Sequence, residues 1–503
     1  MTKQPFLGCL RNFCSISRLF LSCLFLLTSI SARAGEPLIQ QLESLVSGLP
    51  QGSVYSIQVR DPASGNVLFE KGASRNLVPA SVLKVLTATT AYDALGHDFR
   101  YHTRIQAQRL PSTRGVIKGA VMLSFSGDPS LKHKDLEELI LQLKRKGVAS
   151  IAGDFWLNGE VFSGYDRAGG VSWDDLNVCF AAPAAAMILD RNCFYAWLKP
   201  AGKDGELAII EYDEPDWQLA VDNRIRTRKL DEGEKCAQEV RASSEYEYRL
   251  DGCITADSWP LRLAFSVNNV ERAVERYLKA LLKRHNIRLK GRVIVGRPDM
   301  NFPRVLAEHQ SEKLPKLLKP VLSDSDNLYS DSILKTVAYQ KSGKPGSFAS
   351  GIESARELLG DKGVGFGSSR LVDGSGLSRY NFISASTLVD VLMVAWSEWG
   401  EASPWLNERD RKEQWFKTGY MSGVSSMAGY VFPEKGRPLV FAVILNGLMP
   451  PLPASREEMQ AFRKEIRGFH RSFLNVLNNK GLPENKSRTS LPAPATISRA
   501  PKG

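Results

Sequence analysis

Histidine is scarce in this chain, with six scattered through 503 residues, and no two cysteines form a Cys-x-x-Cys pair. A metal site built on ligand spacing is therefore disfavoured. Apolar length is short as well. The run that opens the chain, Leu19–Leu27, is below what a bilayer crossing needs. No internal repeat is visible. Charge of one sign is also missing from the body. Of the formal net charge of +12, residues 1–34 carry four and the tail from Lys480 another four, which leaves +4 between them. That is not the balance of a nucleic-acid protein. A mild positive bias suits an anionic substrate or surface.

Hydrophobic content of 43% and charged content of 24% are those of a globular protein. At this length two to four domains are expected. Lys3, Arg11 and Arg18 precede the apolar run and Ala32-Arg33-Ala34 follows it. The pattern predicts a secretory signal over 1–34, with the mature chain starting near Gly35 and exported to the periplasm. An uncleaved anchor is the alternative, and peripheral membrane association is a separate expectation. Phe20 stands where a lipoprotein signal wants a small aliphatic residue before Cys23, so lipidation is not expected. Past the signal the cysteines are Cys179, Cys193, Cys236 and Cys253. An even count in an exported chain predicts two disulfides, and the sequence alone allows three pairings.

Alternation predicts strands at 53–59 and Asn66–Glu70 around a turn at Asp61–Gly65. A helix follows from Ser81 to about Leu95, with Val82, Leu83, Val85, Leu86, Ala88 and Ala91 as its apolar stripe. Strands are expected at 101–109, 115–125 and Ile151–Leu157, and a helix over Asp135–Lys146. From about 184 to 262 short strands and polar residues predominate, without a long helix. Helices are expected at Val270–Arg284, 313–321, 328–340, 348–359, Ser384–Trp396 and Ser455–Leu477. Strands are expected at Arg304–Glu308, Trp415–Gly419, Ser425–Phe432 and Leu439–Leu445. Leu371–Gly376 reads as a strand running into a turn. The tail, rich in Pro, Ser, Ala and Lys, is expected to be disordered.

Ser81-Val82-Leu83-Lys84 places a hydroxyl and an amine three residues apart, on one face of a helix. A serine hydroxyl needs an adjacent base to become a nucleophile. A lysine serves as that base once burial lowers its pKa. The spacing alone is weak evidence, because Ser332-Ile333-Leu334-Lys335 repeats it. The plain reading of either pair is a serine near a helix start and a lysine snorkelling to water. Ser325-Asp326-Asn327 precedes a helix, where the plain reading of Ser325 is an N-cap. Lys417-Thr418-Gly419 ends a strand, where the plain reading of Lys417 is a solvated lysine. Ser74-Arg75-Asn76 and Ser266-Val267-Asn268 match the second triplet but fail on context.

In this order and on these elements, the three triplets resemble the motifs of penicillin-binding proteins and β-lactamases. The chain is similar to the low-molecular-mass penicillin-binding proteins of the D-alanyl-D-alanine carboxypeptidase/endopeptidase family, in the class (C type) with a large insertion between the first two motifs. Gly127–Leu131, Trp173-Asp174-Asp175, Cys179–Pro183, Asp190–Cys193 and Asp373–Arg379 carry the same resemblance. It implies an α/β fold: a penicillin-recognising core, an antiparallel sheet flanked by helices, built from 36–98 and 300–480. It implies an inserted domain at 99–299 with a nested β-rich subdomain at about 184–262, and a tail at 481–503. The family also supports the pairings Cys179–Cys193 and Cys236–Cys253.

The implied activity is hydrolysis of D-alanyl-D-amino acid bonds in peptidoglycan stem peptides through an acyl-enzyme, with β-lactams as inhibitors and no cofactor or metal. Ser81 is the implied nucleophile and Lys84 its base. Ser325 relays the proton, Asn327 orients, and Lys417 with Thr418 holds the terminal carboxylate. Gly419 completes that triplet, and the backbone N–H groups of Ser81 and Tyr420 form the oxyanion hole. Asp175, Phe180 and Arg379 match the family's contacts to the diamino acid of the stem peptide. Tyr420 and Met421 depart from the family, where Ser or Thr and then Leu are commoner. A β-lactamase, or a non-catalytic cell-wall protein on the same fold, are the competing readings.

Overall fold

A computed structural model describes residues 38–213, 220–230, 236–242, 247–400, 413–434, 436–450 and 456–479. The expected signal at 1–34 and the tail at 481–503 lie outside the described residues.

The described chain falls into two compact units, one of residues 52–430 with 440–449, the other of the two termini with 431–439. In the smaller unit, helix Leu38–Ser47 packs against helix Arg456–Asn479. Leu42, Val46, Phe473 and Leu477 are buried there. The first of these helices was not among the expected elements; its apolar positions Leu42 and Val46 are four residues apart, a short stripe on ten residues.

The larger unit carries a five-stranded sheet in the order Gln414–Met421, Gly423–Val431, Leu439–Leu448, Val54–Arg60, Val67–Lys71. Val54–Arg60 is antiparallel to both of its neighbours. Leu439–Leu445 is buried residue after residue, the mark of a strand covered on both faces. Helix Ala385–Trp399, capped by Ser384, is fastened to this sheet. Its first amide donates to Ser56 Oγ at 2.9 Å, and Tyr430 OH donates to the Leu392 carbonyl at 2.7 Å.

A second five-stranded sheet runs Val293–Val295, Phe155–Asn158, Val121–Ser124, His102–Ala107, Arg304–Gln310. Its last strand, just past the expected boundary at 299, pairs with His102–Ala107. Helices His133–Arg145 and Val270–Arg284 bury apolar stripes in the same core, among them Leu136, Leu139, Ile140, Leu143, Val274, Tyr277, Leu278 and Leu281. Val270–Arg284 has the expected bounds because its ends are marked. Asn269 caps it, Glu271 stands in the first turn, and Lys283 and Arg284 in the last.

The strands expected at 115–125 and Ile151–Leu157 are each broken in two. Both segments bend together. Val116–Ile117 and Ser150–Ile151 pair in a small parallel sheet, whereas Val121–Ser124 and Phe155–Asn158 pair in the larger one. Between 193 and 266 the described residues form short strands only. Leu371–Gly376 is not a strand. The chain wraps there around the Asp373 carboxylate, which accepts from the amides of Gly376 and Ser378 and from the Asn381 side chain at 2.7–2.8 Å. A carboxylate that gathers nearby backbone amides competes with a ladder, and here it prevails.

Candidate active site

The chain enters the site through Val78, whose amide and carbonyl are both held by the Asn446 side chain at 3.0 Å. Ala80 then takes a left-handed conformation, φ +52°. That costs a non-glycine residue about 1–2 kcal/mol, and such strain is typical of functional turns. Ala80–Leu83 continues as a 3-10 turn and Lys84–Leu95 as an α-helix. The first turn is therefore tighter than the α-helix expected from Ser81. Residues three apart eclipse in a 3-10 turn. This sets Lys84 Nζ 3.0 Å from Ser81 Oγ.

Lys84 is fully buried. Its ammonium hydrogens are directed at Ser81 Oγ, at Asn327 Oδ1 (2.6 Å) and at the carbonyl of Ser375 (2.6 Å). It therefore does not snorkel. Burial, and then the charge of Lys417, lower its pKa to about 7, against an opposing pull from Asp331, Asp373 and Asp326. Asp373 is buried and Asp331 partly so, and desolvation raises both carboxyl groups. Desolvation thus pushes amine and acids alike toward their uncharged forms. Asp331 escaped sequence reasoning. Its signal was available: it stands four residues after Asn327, on the same helical face.

Helix Asn327–Ser342 is capped by Asp326, whose side chain accepts from the Tyr329 amide. Ser325 is therefore not the cap. It is left-handed, φ +59°, and its hydroxyl accepts from Lys417 Nζ at 2.9 Å. Asn327 uses both ends of its amide: Oδ1 accepts from Lys84, and Nδ2 donates to the Phe180 carbonyl at 2.8 Å.

Lys417 sits in the middle of edge strand Gln414–Met421, not at a strand end as expected, and is only 4% exposed, so it is not a solvated lysine. Burial lowers its pKa to about 8. Besides Ser325 it donates to the Thr418 carbonyl at 2.9 Å. Gly419 explains the close approach of strand and helix: a Cβ there would come 2.8 Å from the Ser81 amide nitrogen. Gly376, at φ +79°, is equally tied down, since a Cβ would fall on the Ala80 carbonyl oxygen. The Tyr420 ring is exposed.

Asp175 and Arg379 act on each other electrostatically, although burial, the larger effect, raises the Asp175 pKa. The Arg379 side chain donates to the Ser422 carbonyl at 3.3 Å, two residues past Tyr420, and its backbone amide to the Gly170 carbonyl at 3.0 Å. The Phe180 side chain is half exposed. The disulfides are Cys179–Cys193 and Cys236–Cys253, the nearest-neighbour pairs. The second Ser-x-x-Lys, Ser332–Lys335, lies inside helix Asn327–Ser342. Its lysine is also buried and does not reach water. Among the described residues there is no cluster of metal-ligating side chains, and no helix is long and apolar enough to cross a membrane.

Residues 38–408 and 410–471 match the family described as D-Ala-D-Ala carboxypeptidase 3 (S13). The chain is 30% identical over 428 residues to the D-alanyl-D-alanine carboxypeptidase DacB of Haemophilus influenzae, spanning 81% of this chain and 88% of that protein. It is 27% identical over 443 residues to the D-alanyl-D-alanine carboxypeptidase of an Actinomadura species, spanning 82% and 81%. The crystal structure of penicillin binding protein 4 (dacB) from Haemophilus influenzae superposes with a TM-score of 0.77 at 28% identity, covering 86% of this chain and 99% of that one. The same protein complexed with a β-lactam gives 0.72 at 27% identity, covering 85% and 98%. The fold is the penicillin-recognising one, an antiparallel sheet flanked by helices with an inserted β-rich part. With most of its length matched and the three triplets brought to one place, the chain belongs to the D-Ala-D-Ala carboxypeptidase 3 (S13) family.

Proposed function

We propose that this protein is a serine DD-peptidase that hydrolyses D-alanyl-D-amino acid bonds in peptidoglycan stem peptides, at the peptide end or at a cross-link, and is acylated by penicillins. The observation that carries the proposal is one buried amine: Lys84 Nζ, 3.0 Å from Ser81 Oγ, with Asn327 Oδ1 at 2.6 Å.

Ser81 Oγ attacks the carbonyl carbon of the penultimate D-alanine while its proton passes to the free Lys84 amine. The carbonyl oxygen gains the negative charge and is met by the backbone N–H groups of Ser81 and Tyr420, an arrangement often worth several kcal/mol of barrier. The C–N bond then breaks as the proton held by Lys84 is relayed through Ser325 to the departing amine, which leaves Lys84 a free base again. Water attacks the resulting ester, giving up its proton to the same base, and frees Ser81. Asn327 holds Lys84 and the peptide amide. Lys417 and Thr418 bind the terminal carboxylate, and Ser325, which accepts from Lys417, ties the carboxylate subsite to the proton path. Asp175 suits an ammonium and Arg379 a carboxylate on the diamino side chain, with Phe180 beside them.

The proposal includes a catalytic domain of 36–98 and 300–480 with residues 99–299 inserted in it, and periplasmic placement. Digestion of purified muropeptides followed by mass analysis tests the activity. Loss of a terminal alanine, or conversion of dimers to monomers, is the expected result. A folded protein that releases neither product contradicts it. Rapid turnover of penicillin in place of a lasting adduct would indicate the β-lactamase instead.

A further inference from the structure

Asp175 and Phe180 belong to a loop whose two ends meet. The Ala184 amide donates to the Asp166 carbonyl at 2.8 Å, closing a segment whose regular structure is limited to the 3-10 turns Trp173–Asp175 and Cys179–Ala181. Closed loops of this kind depend on internal packing and a well-held base. Inside the loop Arg167 donates to the carbonyls of Ala181 (2.7 Å) and Leu176 (3.1 Å). At its rim the loop touches the site twice: Phe180 O accepts from Asn327, and Gly169 O and Gly170 O accept from Ser378 Oγ and the Arg379 amide.

The base is held by the lysine of the second Ser-x-x-Lys. Lys335 Nζ donates at 2.9 Å to the carbonyl of Tyr165 and at 2.9 Å to that of Ala184, the two residues at the ends of the loop. The ammonium also lies 4.3 Å from the centre of the Phe348 ring and 5.5 Å from that of Phe162. Lys335 is fully buried, and among the described residues no carboxylate forms an ion pair with it, although Asp166 and Asp331 act on it electrostatically. A cation kept in such a place is expensive. An apolar side chain would fill the volume at less cost, but it would leave the buried Ala184 carbonyl and the partly buried Tyr165 carbonyl without this donor. Lys335 stands on the helix that begins with Asn327, two turns further along. The same rigid element therefore holds the loop at its base and touches it again at Phe180.

We propose that Lys335 is a positioning residue for substrate selection: it fixes the 166–184 loop on the Asn327 helix so that Asp175 and Phe180 meet the diamino side chain of the stem peptide. The inference rests on the DD-peptidase reading above, and its test separates the two.

The probes are two pentapeptides ending in D-Ala-D-Ala, one with a free side-chain ammonium at the third position and one with alanine there, followed by D-alanine release. Wild type is expected to favour the first. Lys335→Met should lower the ratio of the two kcat/KM values by about tenfold, mostly through the KM of the ammonium peptide, a loss of about one tenfold step in recognition. Its kcat on the alanine peptide and its rate of acylation by labelled penicillin should stay within about threefold of wild type, the behaviour of a lost uniform-binding contact. Lys335→Gln, which keeps N–H donors without the charge, should fall between the two. An unchanged ratio, or an equal fall on both peptides, overturns the inference. So does failure of both variants to fold, because the ammonium would then serve the whole domain and not the loop. Wild type releasing no D-alanine from either peptide overturns the parent reading as well, and shows itself before any variant is made.

Discussion

Two Ser-x-x-Lys pairs lie in one unit of this protein, both lysines are buried, and only one pair is joined. Lys84 Nζ donates to Ser81 Oγ. Lys335 Nζ instead takes the carbonyls of Tyr165 and Ala184, and the Ser332 hydroxyl is buried without a hydrogen-bond partner among the described residues. The difference is local geometry. Ser81 stands in a 3-10 turn, where positions three apart eclipse, and Ser332 in the middle of an α-helix, where they are offset. It is also what surrounds each amine. Lys84 faces side chains that can exchange or orient a proton, whereas Lys335 faces backbone oxygens that can only accept. Identical spacing thus yields a base in one place and a fastening in the other.

The largest effect should come from deleting the two hydroxyls separately. Ser81→Ala should abolish covalent labelling by penicillin and cut peptide hydrolysis by at least ~10⁴-fold, as loss of a nucleophile does. Ser332→Ala should label at the wild-type rate. Labelling that survives Ser81→Ala, read on a gel, would erase the distinction between the pairs. Next, Lys84→Met should slow acylation by ~10²–10⁴-fold, the usual worth of a general base. Stopped-flow measurement with a chromogenic β-lactam reports this directly.

Lys417 has no counterpart beside Ser332. Lys417→Ala should reduce kcat/KM on a D-Ala-D-Ala peptide by roughly 10–100-fold, the worth of a charge-assisted hydrogen bond to the carboxylate. A peptide whose terminal carboxylate is amidated should lose far less on the same substitution. The smallest effect is one of stability. Ser332→Ala removes a buried hydroxyl that satisfies nothing, so thermal unfolding should be unchanged or shifted upward, by no more than about 1 kcal/mol. A drop well beyond that would show that the hydroxyl is bonded after all.

Much of this was legible because it was local. Helix Val270–Arg284 has a cap at one end and basic residues at the other, so its bounds follow from chemistry within fifteen residues. The three triplets likewise announce themselves, although Ser81 stands on a 3-10 turn and Lys417 lies mid-strand. What could not be read is tertiary. The third acceptor of Lys84 is a backbone carbonyl 291 positions away, in a segment expected to run as a strand into a turn. Asp331 lies outside all three triplets, and only the folded chain brings its charge to bear on Lys84. Lys335 was taken for a snorkelling lysine because nothing near it in sequence shows that Tyr165 and Ala184 will fold over it. The plain reading of Ser325 as a cap fails because its neighbour Asp326 caps the helix, and both residue types cap equally well.

The rate of acylation by labelled penicillin, followed from about pH 5 to 10, tests the central claim most directly. Lys84 must be unprotonated to accept the Ser81 proton, and its pKa is lowered to about 7. Lys417 must be protonated to hold a carboxylate, and its pKa is lowered to about 8. The rate should therefore rise through an acid limb centred near 7 and fall beyond about 8, and the acid limb should vanish in Lys84→Met. An acid limb near the ordinary lysine value, or one that Lys84→Met retains, would contradict the assignment of Lys84 as the base that activates Ser81.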